Sequence, residues 1–107
     1  MTGGKATPRA ITRAERELGG HLAAWRRLQG RTAAELAGSA GVSDEVLHNL
    51  ETGPGRARTE GLLRVLHALG ILDRVLEATD PYTTDVGRAR ADEVLPKRVR
   101  RSRLRDA

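Results

Sequence analysis

Apolar residues recur at a helical spacing from residue 15 onward. The large apolar side chains of the first such stretch are separated by four, three and three residues, which places them on one face of a helix. These side chains are Leu18, Leu22, Trp25 and Leu28. The spacing predicts a first helix from Glu15 to near Gly30. Residues 1–14, with two glycines, Pro8 and scattered charges, show no such period and are predicted to form a flexible arm.

A second, shorter helix is predicted to begin after Thr32. Glu35 follows three residues later, and at this spacing each side chain can cap the backbone N–H of the other residue. The small apolar face of this helix consists of Leu36, Ala37 and Ala40. Gly41 then stands where the chain must turn, because glycine adopts a positive φ at little cost.

A third helix is predicted from about Asp44 to Glu51. Ser43 is a good N-cap residue, and the acidic residues after it place negative charge at the positive end of the helix dipole. The helix is predicted to end at the Gly-Pro-Gly sequence of residues 53–55. Its candidates for burial are Val46, Leu47 and Leu50.

A fourth and a fifth helix follow. Thr59 is the predicted cap of the fourth helix, and Gly70 is predicted to close it. Its apolar stripe consists of Leu62, Leu63, Leu66 and Leu69. The fifth helix ends before Asp80 and carries Ile71, Leu72, Val75 and Leu76. Because a small core does not need all four of these residues, part of this surface is predicted to contact a second copy of the chain. The alternative is that it only closes the core.

The last part of the chain combines a short helix with a basic tail. One further helix is predicted around residues 85–94, before Pro96. The tail beyond it contains the basic residues Lys97, Arg98, Arg100, Arg101, Arg103 and Arg105. Such a run of like charge is predicted to be disordered when unbound and to contact DNA or a partner protein, unless it is merely solvated.

Composition favours a small all-α domain. The 107 residues include no Phe and only one Trp and one Tyr, whereas a sheet would need more aromatic and β-branched residues. The absence of Cys excludes disulfides and thiolate chemistry, and the three His residues are too scattered for a zinc site. We therefore expect neither a metal nor another cofactor.

Two further functional classes find no support in the sequence. No apolar run approaches the roughly 20 residues that cross a bilayer, and no apolar stretch typical of a signal peptide opens the chain, so we expect a cytoplasmic protein with no membrane partner. The sequence also lacks a Gly-rich phosphate loop and a plausible Ser-His-Asp set. We therefore expect no enzymatic activity.

The net charge of +5 is concentrated at the two ends of the chain. Residues 1–16 and residues 80–107 each carry a net charge of +3, whereas residues 17–79 carry −1. The ends therefore favour contact with nucleic acid or with an acidic partner, and the central region contributes only a weak field of its own.

Two short helices joined through a glycine, the second capped by serine, are typical of a helix-turn-helix, whose second helix enters the major groove of DNA. Residues 32–53, with the sequence TAAELAGSAGVSDEVLHNLETG, closely resemble the helix-turn-helix core of the Cro/lambda-repressor-like (Xre) family. The Glu-Leu-Ala, Gly-Val-Ser and Leu-Glu-Thr-Gly elements stand at the family's spacing. The resemblance implies a five-helix lambda-repressor-like domain over residues 15–79, with residues 80–107 as a basic C-terminal extension.

The resemblance also implies a function. It implies a sequence-specific, DNA-binding transcriptional regulator that represses its own promoter and binds a palindromic operator in double-stranded DNA as a homodimer. The residues implied in DNA binding are Thr32, Ser43, Asp44, Glu45, His48, Asn49, Arg56 and Arg58. Asn49 is the best candidate for a base contact, because its amide can pair with adenine, and the two arginines are candidates for phosphate contacts. The alternative for His48, Asn49 and the arginines is that they are solvated polar residues.

The match departs from the family where DNA is read. Ala33 stands where family members often have Gln, so it cannot anchor the second helix to the DNA. Asp44 and Glu45 repel phosphate, although a carboxylate can accept a hydrogen bond from the amino group of cytosine. These departures leave open a second function, that of a protein-interaction module with little DNA binding of its own.

Residues 62–101 resemble small actinobacterial Xre regulators, some of which are similar to HipB-type antitoxins. Antitoxins of that type repress their own promoters and bind a HipA-type kinase toxin. By analogy, the resemblance implies that this chain is the antitoxin of such a pair, with a HipA-type kinase as its partner.

Overall fold

The computed structural model describes residues 6–53, 55 and 57–95. Within these residues the chain is all-helical, with six α-helices, one 3₁₀ turn at Pro81–Thr83 and no β-strand, which confirms the predicted fold class. The α-helices are α1 (Arg9–Leu28), α2 (Ala33–Ala40), α3 (Asp44–Thr52), α4 (Thr59–Leu69), α5 (Leu72–Thr79) and α6 (Asp85–Val94). None of the described helices has the length and apolar character of a membrane span.

The chain divides into two compact units between Asp73 and Arg74, which is earlier than the predicted boundary between residues 79 and 80. In the first unit, α1 packs against α3, and α2 packs against both α3 and α4. The largest fully buried side chains are Leu22, Leu36, Leu47 and Val65. The predicted apolar face of α2 is confirmed, because all three of its members are buried. In α3, Leu47 and Leu50 are buried.

The prediction of a flexible arm is wrong for residues 9–14, because α1 begins at Arg9. The Pro8 carbonyl accepts hydrogen bonds from the backbone N–H groups of Ile11 (3.0 Å) and Thr12 (3.3 Å), which closes the first turn. Ala and Arg in this stretch are strong helix formers, so the helix extends beyond the part with an apolar period. Residues 1–5 of the predicted arm lie outside the described residues.

The buried face of α1 also differs from the predicted one. Leu22 is buried, but Leu18 is 40% exposed and Leu28 is 79% exposed. The buried positions are Gly19, Leu22 and Ala23, so two of the three are small. Small residues let two helix backbones approach closely, and a pattern of large apolar side chains does not reveal them.

The fourth helix begins at its predicted cap rather than after it. Thr59 is the first helical residue, and Arg58 occupies the N-cap without a capping hydrogen bond from its side chain, so the predicted cap is wrong. The buried residues of α4 are Val65, Leu66 and Leu69. Leu63 is 38% exposed because it lies about 100° around the helix from Leu62 and leaves the buried face. Gly70 closes the helix with a φ of +81°, as predicted.

No residue of α5 is buried. Ile71, Leu72 and Val75 are partly exposed, and Leu76 is 38% exposed. Contact of these residues with a second copy stays a prediction.

The second unit contains the predicted sixth helix, with its bounds confirmed as Asp85–Val94. The Thr84 hydroxyl accepts a hydrogen bond from the Gly87 N–H (2.9 Å) and caps α6, and Arg88 pairs with Asp85. A side chain at Gly87 would overlap the Pro81 carbonyl oxygen, so only glycine allows α6 to pack on the 3₁₀ turn. The basic tail after Pro96 lies outside the described residues.

Candidate nucleic-acid interface

The start of α2 is held by a reciprocal capping pair, as predicted. The Glu35 N–H donates to the Thr32 hydroxyl (3.1 Å), and the Thr32 N–H donates to the Glu35 carboxylate (2.8 Å). These bonds satisfy two backbone donors that a helix start leaves without partners. They fix the point at which the chain enters the helix pair α2–α3.

The turn between α2 and α3 also forms as predicted. Gly41 adopts a φ of +73°, which lets the Val42 N–H donate to the Ala37 carbonyl (3.1 Å). The Ser43 hydroxyl then accepts a hydrogen bond from the Val46 N–H (3.0 Å) and caps α3. The Thr32 and Ser43 hydroxyls each accept a capping hydrogen bond, so both residues stabilise the starts of the two helices.

One face of α3 is buried and the opposite face is polar and exposed. Leu47 and Leu50 face the core. The residues exposed on the other side are Asp44, Glu45, His48 and Thr52. The exposed face therefore includes three of the residues predicted to bind DNA, all presented by one rigid helix.

Three further candidates line one groove, between the start of α3 and the start of α4. They are Ser43, Asn49 and Arg58. Asn49 is only partly exposed, and it lies at the edge of the exposed face of α3. Thr32 does not line this groove, and Arg56 lies outside the described residues.

Sequence reasoning missed Arg64, a second cation in this groove. Its guanidinium donates to the Glu60 carboxylate (3.0 Å) and to the Ala40 carbonyl at the end of α2 (3.5 Å). The spacing of four residues between Glu60 and Arg64 was the available signal, because such pairs meet on a helix surface. Glu60 also lines the groove and offsets the charge of Arg64, so among the described lining residues Arg58 supplies the net positive charge beside a helix that has no Lys or Arg of its own.

A second missed element is an ion pair that joins α1 to the end of α3. Arg26 and Glu51 form two hydrogen bonds, of 2.8 and 3.0 Å, with side chains only 13% and 11% exposed. Arg26 also donates to the Arg31 carbonyl (3.2 Å), just before α2. The hydrogen bond from Glu51 raises the pKa of Arg26 above its ordinary value, although burial acts in the opposite direction. One guanidinium therefore ties α1 to the end of α3 and to the loop that precedes α2.

Polar contacts also hold the C-terminal end of α4. Gln29 donates to the Leu69 carbonyl (2.9 Å), and Arg31 donates to the Ala68 carbonyl (2.9 Å). Arg31 also donates to the Ser39 hydroxyl of α2 (2.6 Å). Because a helix end leaves carbonyl groups without partners, these side chains cap α4 and connect it to α2.

Two helices of this kind, joined at a tight turn and held by α1 and α4, define the class of helix-turn-helix proteins. A family model described as a helix-turn-helix domain matches residues 17–79, more than half of the 107 residues. The chain belongs to this family. No curated protein and no solved structure matches it.

Membership in this family supports the resemblance to Xre-like regulators at the level of the domain. Helix-turn-helix domains are DNA-binding modules and are typically not enzymes. The described part of the chain contains no group of three or more His, Asp or Glu side chains that could hold a metal ion.

Proposed function

We propose that this protein is a sequence-specific transcriptional regulator of the cytoplasm that binds a palindromic operator as a homodimer and represses its own promoter. The observation that carries the proposal is the exposed polar face of α3 in a helix-turn-helix domain. A helix of this kind reads base edges in the major groove. Arg58, at the rim of the groove between α3 and α4, is a candidate for a phosphate contact.

Footprinting of the purified protein on the DNA upstream of its own gene tests this function. We expect a protected palindrome whose half-sites are centred about one helical turn, roughly 34 Å, apart. A scrambled sequence of the same length and base composition is the control. Equal protection of both DNAs, or of neither, would contradict a sequence-specific regulator.

Asn49 is predicted to read a base. Asn49→Ala should weaken binding to the operator by about 1 to 3 kcal/mol and leave binding to random DNA almost unchanged. Arg58→Ala is the control for a phosphate contact and should weaken binding to both DNAs alike. Equal losses on both DNAs for Asn49→Ala, measured by titration at one salt concentration, would show that Asn49 does not read a base.

The apolar residues around α5, namely Ile71, Leu72, Val75 and Leu76, are proposed to contact a second copy of the chain. Val75→Asp or Leu76→Asp should give folded monomers with much weaker operator binding, because a charge at an apolar interface is costly. Glu77→Gln, a change of a neighbouring exposed residue, should leave the dimer intact. Light scattering measures the oligomeric state, and circular dichroism measures whether the variants fold. A monomeric wild-type protein would contradict the proposed dimer contact, and unfolded variants would indicate that these side chains belong to the core.

The basic tail is proposed to follow the DNA backbone or to bind a partner protein. Deletion of residues 97–107 removes six basic residues and one acidic residue, which leaves the protein neutral. If the tail contacts DNA, the dependence of affinity on salt should become shallower by up to about 0.9 per lost phosphate contact, with the same preferred site. If the tail binds a protein, this slope should stay constant and capture of the partner should fail. A merely solvated tail predicts neither change.

The second candidate function is a protein-interaction module, and the acidic exposed face of α3 favours it. Asp44 and Glu45 disfavour phosphate on this face. The antitoxin hypothesis is instead a particular form of the regulator, one that binds both its operator and a partner protein, with a HipA-type kinase as the partner. Co-expression with the product of a neighbouring kinase gene, followed by purification, tests it. Capture of the kinase without any operator binding would support the interaction module over the regulator.

A further inference from the structure

Glu45 lies at the centre of the exposed face of α3. Successive residues of an α-helix are about 100° apart, so Glu45 lies opposite the midpoint of the buried pair Leu47 and Leu50. Asp44, by the same geometry, lies at the edge of the exposed face. Among the acidic residues of α3, Glu45 is therefore the one best placed to reach the floor of a groove.

The carboxylate of Glu45 is exposed and has no partner among the described residues, whereas three other carboxylates of the domain are held by hydrogen bonds. Glu35 accepts from the Thr32 N–H, Glu51 from Arg26 and Glu60 from Arg64. Asp44 and Glu45 both lie in the first turn of α3, where negative charge stabilises the helix dipole. That long-range attraction needs no hydrogen bond, so the acceptor oxygens of Glu45 remain available to a ligand.

An ionised carboxylate can only accept hydrogen bonds. In the major groove guanine presents two acceptors, and thymine presents an acceptor and a methyl group. Neither base can therefore donate a hydrogen bond to the carboxylate. Adenine has an amino donor, but the neighbouring N7 acceptor makes an amide its better partner. Cytosine presents its amino group as a donor, and it is therefore the base that suits a carboxylate best.

Given the proposed function, on which this step rests, we propose that Glu45 is a specificity-determining residue. It accepts a hydrogen bond from the amino group of a cytosine in each half-site. The negative charge of Glu45 repels phosphate and weakens binding to every DNA sequence alike. Only a site with cytosine at this position offsets that repulsion with a hydrogen bond. Glu45 thereby disfavours binding to other DNA sequences as well as favouring binding to the operator.

The experiment is a selection from random double-stranded DNA with the full chain and three variants. The wild-type protein should enrich a sequence with a C·G pair at one position of each half-site. Glu45→Gln should change that position to A·T, because glutamine pairs with adenine, and leave the other positions unchanged. Glu45→Ala should accept all four base pairs there. Glu17→Gln removes the same charge from an exposed position of α1 and should leave the enriched sequence unaltered.

Direct binding then gives the size of the effect. Replacement of the C·G pair by T·A should weaken wild-type binding by about 5- to 100-fold, and should barely affect Glu45→Ala. An enriched sequence that is the same for the wild type and Glu45→Gln would overturn the inference and leave the proposed function standing. No enrichment by the wild type would overturn both. A shift caused equally by Glu17→Gln would show that charge, rather than contact, sets the preference, and would also overturn the inference.

Discussion

Gly19→Ala should destabilise the domain by about 1 to 3 kcal/mol or more, because overpacking of a close contact has a cost of this order. A Cβ atom at Gly19 would overlap the Leu50 carbonyl oxygen and lie 2.6 Å from the Glu51 carbonyl oxygen. Both obstacles are backbone atoms of α3, so no side chain can rotate away. The helix would have to move off α3, which carries the proposed base-reading residues. Denaturation by urea, followed by circular dichroism, measures the loss.

Gly20→Ala is the matched control, one residue further along the same helix. A Cβ atom there meets nothing within 4 Å, and the position is exposed. Alanine should therefore stabilise the protein by up to about 1 kcal/mol through its higher helix propensity. If both variants changed stability in the same direction, the close approach of α1 and α3 through Gly19 would be contradicted.

The second large effect is expected at the ion pair between Arg26 and Glu51. Arg26→Met should cost about 2 to 4 kcal/mol, somewhat below the loss typical of a broken, fully buried pair because slight exposure softens it. The change leaves the Glu51 carboxylate without its counter-ion and removes the donor to the Arg31 carbonyl. Thermal or urea unfolding would measure the loss of stability. A weaker footprint on the operator should accompany this loss if the ion pair also positions α3.

Two variants serve as controls for this prediction. Arg64→Met breaks the exposed pair with Glu60, whose side chains are 50% and 73% exposed, and should cost less than about 1 kcal/mol. Adding Glu51→Leu to Arg26→Met should recover part of the stability, because two apolar groups no longer leave a buried charge unpaired. A loss at Arg26 no larger than the loss at Arg64 would mean that the pair contributes little.

Gly19 and the ion pair of Arg26 with Glu51 lie at the same junction, where α1 meets the end of α3. Gly53 adds a third contact there, because its φ is +86° and a Cβ atom would lie 2.7 Å from the Arg16 Cα. The proposed base-reading face of α3 is thus held from behind by two backbone contacts and one ion pair. This arrangement gives the exposed face a fixed orientation, which a sequence-specific contact requires.

The local signals in the sequence were sufficient for α2, α3 and α6. The capping pair of Thr32 and Glu35 and the Ser43 cap each depend on residues three apart, so a reading of neighbouring positions finds them. The positive φ of Gly41 follows from the same local chemistry. The family match over residues 17–79 confirms the class of protein that these signals indicated.

The amino-acid sequence by itself therefore determined the helical class, the turn and the polar residues that α3 exposes, namely Asp44, Glu45 and His48. The tertiary structure decided which face of α1 is buried, through Gly19 rather than Leu18, and it brought Arg26 to Glu51 across 25 residues of chain. It also placed Asn49 and Arg58 on one groove. Helix caps are local and can be predicted from spacing, whereas a close crossing of two backbones depends on where a distant helix lies, and no periodicity within one helix encodes that position.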